Sequence, residues 1–229
     1  MDEAPSAALA RAAEPRLGEV NAQSLANTAW AFATAGQLDE ALFVALARAA
    51  EPRLGEFNAQ GLANTAWAFA TTGLMDELSV ALARAAEPRL GEFNAQELAN
   101  TAWAFATAGQ LDEVLFAALA RAAEPRLGEF NAQNLANTAW AFATAARLDE
   151  VLFAALARVA VPRLGEFSAQ VYANVGGVWA RRQLHAIAAL NQASAARTLG
   201  LRLKKNIFHG FPLFSTVFPC FFPVSFTGF

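Results

Sequence analysis

The phrase "NAQSLANTAWAFATAG" (residues 21–36) returns as "NAQGLANTAWAFATTG" (58–73), "NAQELANTAWAFATAG" (94–109) and "NAQNLANTAWAFATAA" (131–146). Its first residue falls at Asn21, Asn58, Asn94, Asn131 and, degenerated, Ser168, at spacings of 37, 36, 37 and 37 residues. Units this short cannot each enclose a core; they stack so that each covers its neighbour's apolar face. The short interval comes from "LMDELSVALA", where one residue is lost just after Glu77. Four units run 21–57, 58–93, 94–130 and 131–167. Residues 1–20 align without a gap with 38–57, so they read as the second half of a unit. We therefore expect the chain to be a piece of a longer one, its first residues being repeat and not a signal or transit peptide. A degenerate capping unit and a basic segment follow over 168–205, then a Phe/Pro-rich tail over 206–229.

Each unit predicts two helices. The first opens on the asparagine, a favoured N-cap. The apolar residue before it can staple to the leucine four after it, as Val20 with Leu25, Phe57 with Leu62, Phe93 with Leu98 and Phe130 with Leu135. The helix should end at Gly36, Gly73 and Gly109, with Ala146 in the fourth copy. On a helical wheel Leu62, Ala66 and Phe69 share one face, with Ala63, Ala70 and Trp67 beside them. Gly61, Asn64, Thr65, Ala68 and Thr71 form a narrow, uncharged opposite arc. The second helix opens at Asp39-Glu40 and their equivalents, carries Leu42, Phe43, Leu46, Ala49 and Ala50 inward, and points Arg48 and Glu51 outward. Pro52 recurs as Pro15, Pro88, Pro125 and Pro162, and predicts a kink or break before "RLGEF", with Gly55 ending the segment. The expected fold is all-α, a right-handed α-solenoid of stacked antiparallel helix pairs, neighbours about 8–10 Å apart. Uncharged first helices would line one face and charged second helices the other.

Composition supports helix and excludes several chemistries. The chain is 55% hydrophobic and 16% charged, rich in alanine. Its net charge of −3 hides an asymmetry: residues 1–166 hold 11 Lys and Arg against all 20 acids, and residues 167–229 hold 6 Lys and Arg and no acid. Cys220 is alone, so no disulfide forms within the chain, and His185 and His209 are too few for a His-based metal cluster. The repeats contain neither residue type and no Ser-His-Asp or Cys-His set. The adjacent Asp-Glu pairs read as helix caps rather than as paired hydrolase carboxylates. No enzyme activity, cofactor, metal or small-molecule substrate is expected. The apolar run at 211–226 is short for a membrane span and carries Pro212, Pro219 and Pro223, so no membrane partner is expected.

The unit "FNAQ.LANTAWAFATAGQLDE.LF.ALARAAEPRLGEF", over roughly residues 1–175, resembles the octotricopeptide repeat of algal organelle RNA factors and the related helical repeats of RAP-domain proteins. The resemblance implies an α-solenoid that binds single-stranded RNA in organelle RNA maturation, stability or translation, and a chloroplast or mitochondrial setting. Two features depart from that pattern. The units are slightly short, and no RAP domain follows them.

Within the repeat, one position varies while its surroundings do not: Ser24, Gly61, Glu97 and Asn134. One turn on stands the invariant asparagine, as Asn27, Asn64, Asn100, Asn137 and, in the degenerate unit, Asn174. Helical-repeat RNA readers use two or three side chains per unit to read one base, and Asn and Ser can both donate and accept. Drift at a tolerant helix start explains the variable position equally well, and Glu97 can complete a capping box with Asn94. The asparagine can instead form a structural hydrogen-bonded ladder. The tryptophans Trp30, Trp67, Trp103 and Trp140 sit at the edge of the apolar arc and read as core. Because the repeats are acidic, attraction for phosphate would fall to "ARRQLHAI", with Arg181 and Arg182, and to "RTLGLRLKK". The alternative function is a protein–protein scaffold of tetratricopeptide-like type whose acidic surface holds a basic partner. The tail at 206–229, with eight Phe and three Pro and no helical pattern, is expected to be disordered or a gene-model artefact.

Overall fold

A computed structural model describes residues 14–37, 39–147 and 149–167. All of them lie in the first of the two units into which the chain divides, Met1–Gln183. The expectations for residues 1–13, 168–205 and 206–229, with Arg181 and Arg182, lie outside the described residues.

The described residues are helical and contain no strand. Eight α-helices alternate between the two roles the sequence assigns. The first helices are α1 (Ala22–Thr34), α3 (Ala59–Thr72), α5 (Ala95–Thr107) and α7 (Ala132–Thr144). The second helices are α2 (Glu40–Ala50), α4 (Ser79–Ala86), α6 (Glu113–Ala123) and α8 (Glu150–Ala160). Each first helix starts on its asparagine, whose Oδ1 accepts the N–H three residues on: Ser24 at 2.8 Å, Gly61 at 2.7 Å, Glu97 at 2.9 Å and Asn134 at 2.8 Å. Asp39, Asp112 and Asp149 cap α2, α6 and α8 in the same way.

The first helices end in a left-handed residue, with Gly36, Gly73 and Gly109 at φ +66, +76 and +70. The next N–H closes on the carbonyl five residues back, as Gln37 on Phe32 and Gln110 on Phe105. The fourth copy keeps this geometry without glycine. Ala146 sits at φ 53, where its Cβ crowds the backbone.

Each second helix ends as an α-helix before its proline, and the chain tightens there. Helical backbone continues through Glu51 (φ −48, ψ −53) into 3₁₀ turns at Glu51–Glu56, Glu87–Glu92, Glu124–Glu129 and Val161–Glu166. The α-helix ends at Ala50, Ala86, Ala123 or Ala160, just before the proline, which cannot supply the N–H that would continue it, and "RLGEF" follows in the tighter turn. Gly55 lies within the 3₁₀ turn, and the segment ends at extended Phe57.

Packing runs from unit to unit. Successive first helices lie against one another, α1 on α3, α3 on α5 and α5 on α7. Each second helix rests on its own first helix and on the 3₁₀ segment of the unit before. Phe43 of one unit meets Phe69 of the next edge-to-face at 5.3 Å, and Phe116 meets Phe142 in the same way. The unit that lost a residue breaks this pattern. Ser79 stands where the others have Phe43 and Phe116, and α4 has only eight residues and no side-chain cap. Asp76 instead accepts a hydrogen bond from the Gln110 amide of the next unit.

A second link repeats at every junction. The Nη1 of Arg53 donates to the Val20 carbonyl oxygen of the preceding unit at 2.7 Å. Arg89 does the same to Phe57 at 2.6 Å, Arg126 to Phe93 at 2.5 Å, and Arg163 to Phe130 at 2.7 Å. The other side of each guanidinium grips Glu56, Glu92, Glu129 or Glu166 three residues on. That ion pair is solvent-facing and screened, and contributes little. The charged donor to a part-buried carbonyl is worth about 1.5–3 kcal/mol and dominates.

Three outcomes follow from these contacts. Ala146→Gly should raise the urea midpoint by the equivalent of about 0.5–1 kcal/mol with m unchanged, since glycine relieves the left-handed strain. Arg126→Met should destabilise by about 1–3 kcal/mol and Glu129→Gln by under about 1 kcal/mol, read in the same titration. The hydrogen bond from Arg89 holds the Glu92 carboxyl below its ordinary value, and Arg163 does the same for Glu166. A lowered folded pKa gives stability that is present above the ordinary carboxylate range and lost as pH falls through the lowered value. The double variant Glu92→Gln, Glu166→Gln should therefore lose less stability than the parent between about pH 5 and 3.

Candidate nucleic-acid interface

The inner first helices are buried on three sides. Leu62, Ala66 and Phe69 form the underside of α3, and Ala63 and Ala70 close one flank. The other flank is Gly61, Thr65 and Ala68, also buried. It faces the preceding first helix. In α1, which has no earlier first helix among the described residues, the matching Thr28 is half-buried and Ala31 is exposed. The uncharged arc expected from the wheel is thus split, with half of it sealed in the seam between neighbours.

This split separates the two kinds of candidate residue. Of the variable set, Gly61 is buried and Asn134 is 7% exposed, while Ser24 and Glu97 are half-buried. Each gives its backbone N–H to the capping asparagine, a bond indifferent to the side chain. The Glu97 carboxylate turns back to the Asn94 N–H at 2.7 Å and completes the capping box. At Gly61 a Cβ would meet Asn58 Oδ1 at 3.2 Å and the Phe57 ring at 3.3 Å. The variable position therefore lies toward the seam and not on the open strip.

The asparagines lie on the solvent side. Asn27 is exposed, and Asn64, Asn100 and Asn137 are half-buried. The same strip holds Gln60, which the wheel reading passed over, and Trp67, which it set beside the apolar face. Gln60, Asn64, Trp67 and Thr71 fall at i, i+4, i+7 and i+11, within about 60° of arc on an α-helix. Gln23, Gln60, Gln96 and Gln133 are all exposed. Trp30 is 45% exposed, and Trp67, Trp103 and Trp140 lean on the core with part of each ring open. Trp103 and Trp140 meet across their units, ring centres 6.4 Å apart and planes tilted by 33°. The Gln133 amide donates to Asn137 Oδ1 at 2.7 Å along the strip. The i, i+4, i+7, i+11 spacing was present in the sequence; the tryptophans masked it by reading as core.

The strip of Gln, Asn, Trp and Thr carries no formal charge. Charge lies on the second helices, where Arg48, Arg84, Arg121 and Arg158 are exposed beside Glu40, Glu113 and Glu150. The arginines of the 3₁₀ turns are engaged at the junctions, and Arg147 pairs with Glu113 at 3.1 Å. Among the described residues no group of His, Cys, Asp and Glu gathers as a metal site, and no helix is long and apolar enough to cross a membrane. Such a surface offers stacking and amide hydrogen bonds with little phosphate attraction.

Residues 6–199 match the family model described as RNA-editing substrate-binding complex 6 protein. The chain belongs to that family. Membership makes it part of an RNA-associated helical family, named for a complex that binds RNA-editing substrate. It does not assign the repeats to the octotricopeptide or RAP type, so the resemblance narrows to its coarser content, a helical protein associated with RNA. No curated protein matches the chain.

Proposed function

We propose that the chain is a right-handed α-solenoid that binds single-stranded RNA along its row of first helices and serves an RNA-editing complex as a binder rather than a catalyst. One observation supports this most: Gln, Asn, Trp and Thr repeat unchanged on the open strip of every described unit, with Trp103 and Trp140 joined across a junction. Bases stack on open aromatic rings at about 1–3 kcal/mol each, and amides can bond to their edges. Asn27, Asn64, Asn100 and Asn137 are the proposed base-edge contacts, with the glutamines beside them. The organelle setting rests on the octotricopeptide resemblance. A second reading, a scaffold for a basic protein partner, draws on the exposed Glu40, Glu113 and Glu150 and on the exposed Val114 and Val151 of the second helices.

Fluorescence anisotropy of the full chain with labelled random single-stranded RNA, at low and moderate salt, tests the proposal. Binding at low salt is expected, and none would sink it. The double variant Trp103→Ala, Trp140→Ala should weaken binding at least tenfold while its far-ultraviolet dichroism stays unchanged. The open strip is uncharged, so the salt dependence should come from the basic segments, and Arg181→Gln with Arg182→Gln should make it shallower.

A further inference from the structure

Sequence-reading repeat proteins differ from unit to unit at the positions that touch the bases, since each unit must prefer a different base. Here the open strip does the opposite. Gln23, Gln60, Gln96 and Gln133 are one residue type, as are Asn27, Asn64, Asn100 and Asn137, and Trp30, Trp67, Trp103 and Trp140. The first-helix position that varies, Ser24, Gly61, Glu97 and Asn134, lies toward the seam: Gly61 and Asn134 are buried and the Glu97 carboxylate is held by Asn94. Whatever base edge one unit favours, its neighbours favour too.

The strip also has a defined polarity where the amides meet. With Gln133 donating to Asn137 Oδ1, the remaining Asn137 N–H groups and the Gln133 carbonyl oxygen form an adjacent donor and acceptor. That is the pattern needed to pair with one edge of a base while the ring stacks on the neighbouring tryptophan. Small preferences of identical readers multiply along an RNA that repeats one base and dilute in a mixed one.

We infer that the preferred ligand is a single-stranded RNA tract repeating one base, bound with the same contacts at each unit. This rests on the RNA-binding reading above. The strip then measures tract length and not a mixed sequence, and the junctions, by fixing the spacing of the helices, fix the spacing of the readers.

The test is anisotropy of the full chain with 12-nucleotide single strands of A, of U and of C, and with a 12-nucleotide mixed sequence. One homopolymer should bind at least tenfold more tightly than the mixed strand. The double variant Asn100→Ala, Asn137→Ala should bring the four affinities within about threefold of each other while leaving the mixed strand bound. Trp103→Ala with Trp140→Ala should weaken all four. If the wild-type chain binds all four strands alike, or prefers the mixed one, the inference fails and RNA binding stands. If none binds, both fail.

Discussion

Among the described residues no helix pair can cover its own apolar surface, and every other feature depends on that. Phe69 is buried by Phe43 of the unit before it, and Phe142 by Phe116. The inner first helices bury both flanks against neighbours of their own kind. Area burial of this sort is strong but non-directional, at about 25 cal/mol per Å², and by itself it would tolerate sliding. Direction comes from the guanidinium at each junction, which ties one 3₁₀ turn to a single carbonyl of the preceding unit. Burial holds the row together, and the arginine sets its register.

Flank burial on both sides leaves each inner first helix one narrow open strip. The residues there do not vary, whereas the residue of the first helix that varies lies beside the seam. In the variable set the explanation is local. Its backbone N–H serves the cap, and the seam accommodates Gly, Asn, Ser or Glu in turn.

Much of the fold was legible because its signals are local. Asparagine and aspartate caps, hydrophobic periodicity and positive-φ glycines each depend on a few neighbouring residues, and helix positions followed from them. The proline is equally local: each second helix stops just before it, because it cannot give the N–H that would extend the α-helix. The site was less legible, because a wheel shows one helix and not its neighbours. Thr65 and Ala68 looked open by composition and are sealed by the adjoining helix. Trp67 looked like core by composition and keeps part of its ring in solvent. The arginine link spans about 33 residues and cannot be read from any local pattern.

The central claim is positional, that RNA lies along the first helices, and ultraviolet crosslinking of the full chain to single-stranded RNA, followed by peptide mapping, tests it most directly. The account predicts crosslinked peptides from 60–71, 96–107 and 133–144, centred on Trp67, Trp103 and Trp140. Crosslinks confined to the second helices, around Arg48, Arg84, Arg121 and Arg158, would contradict it.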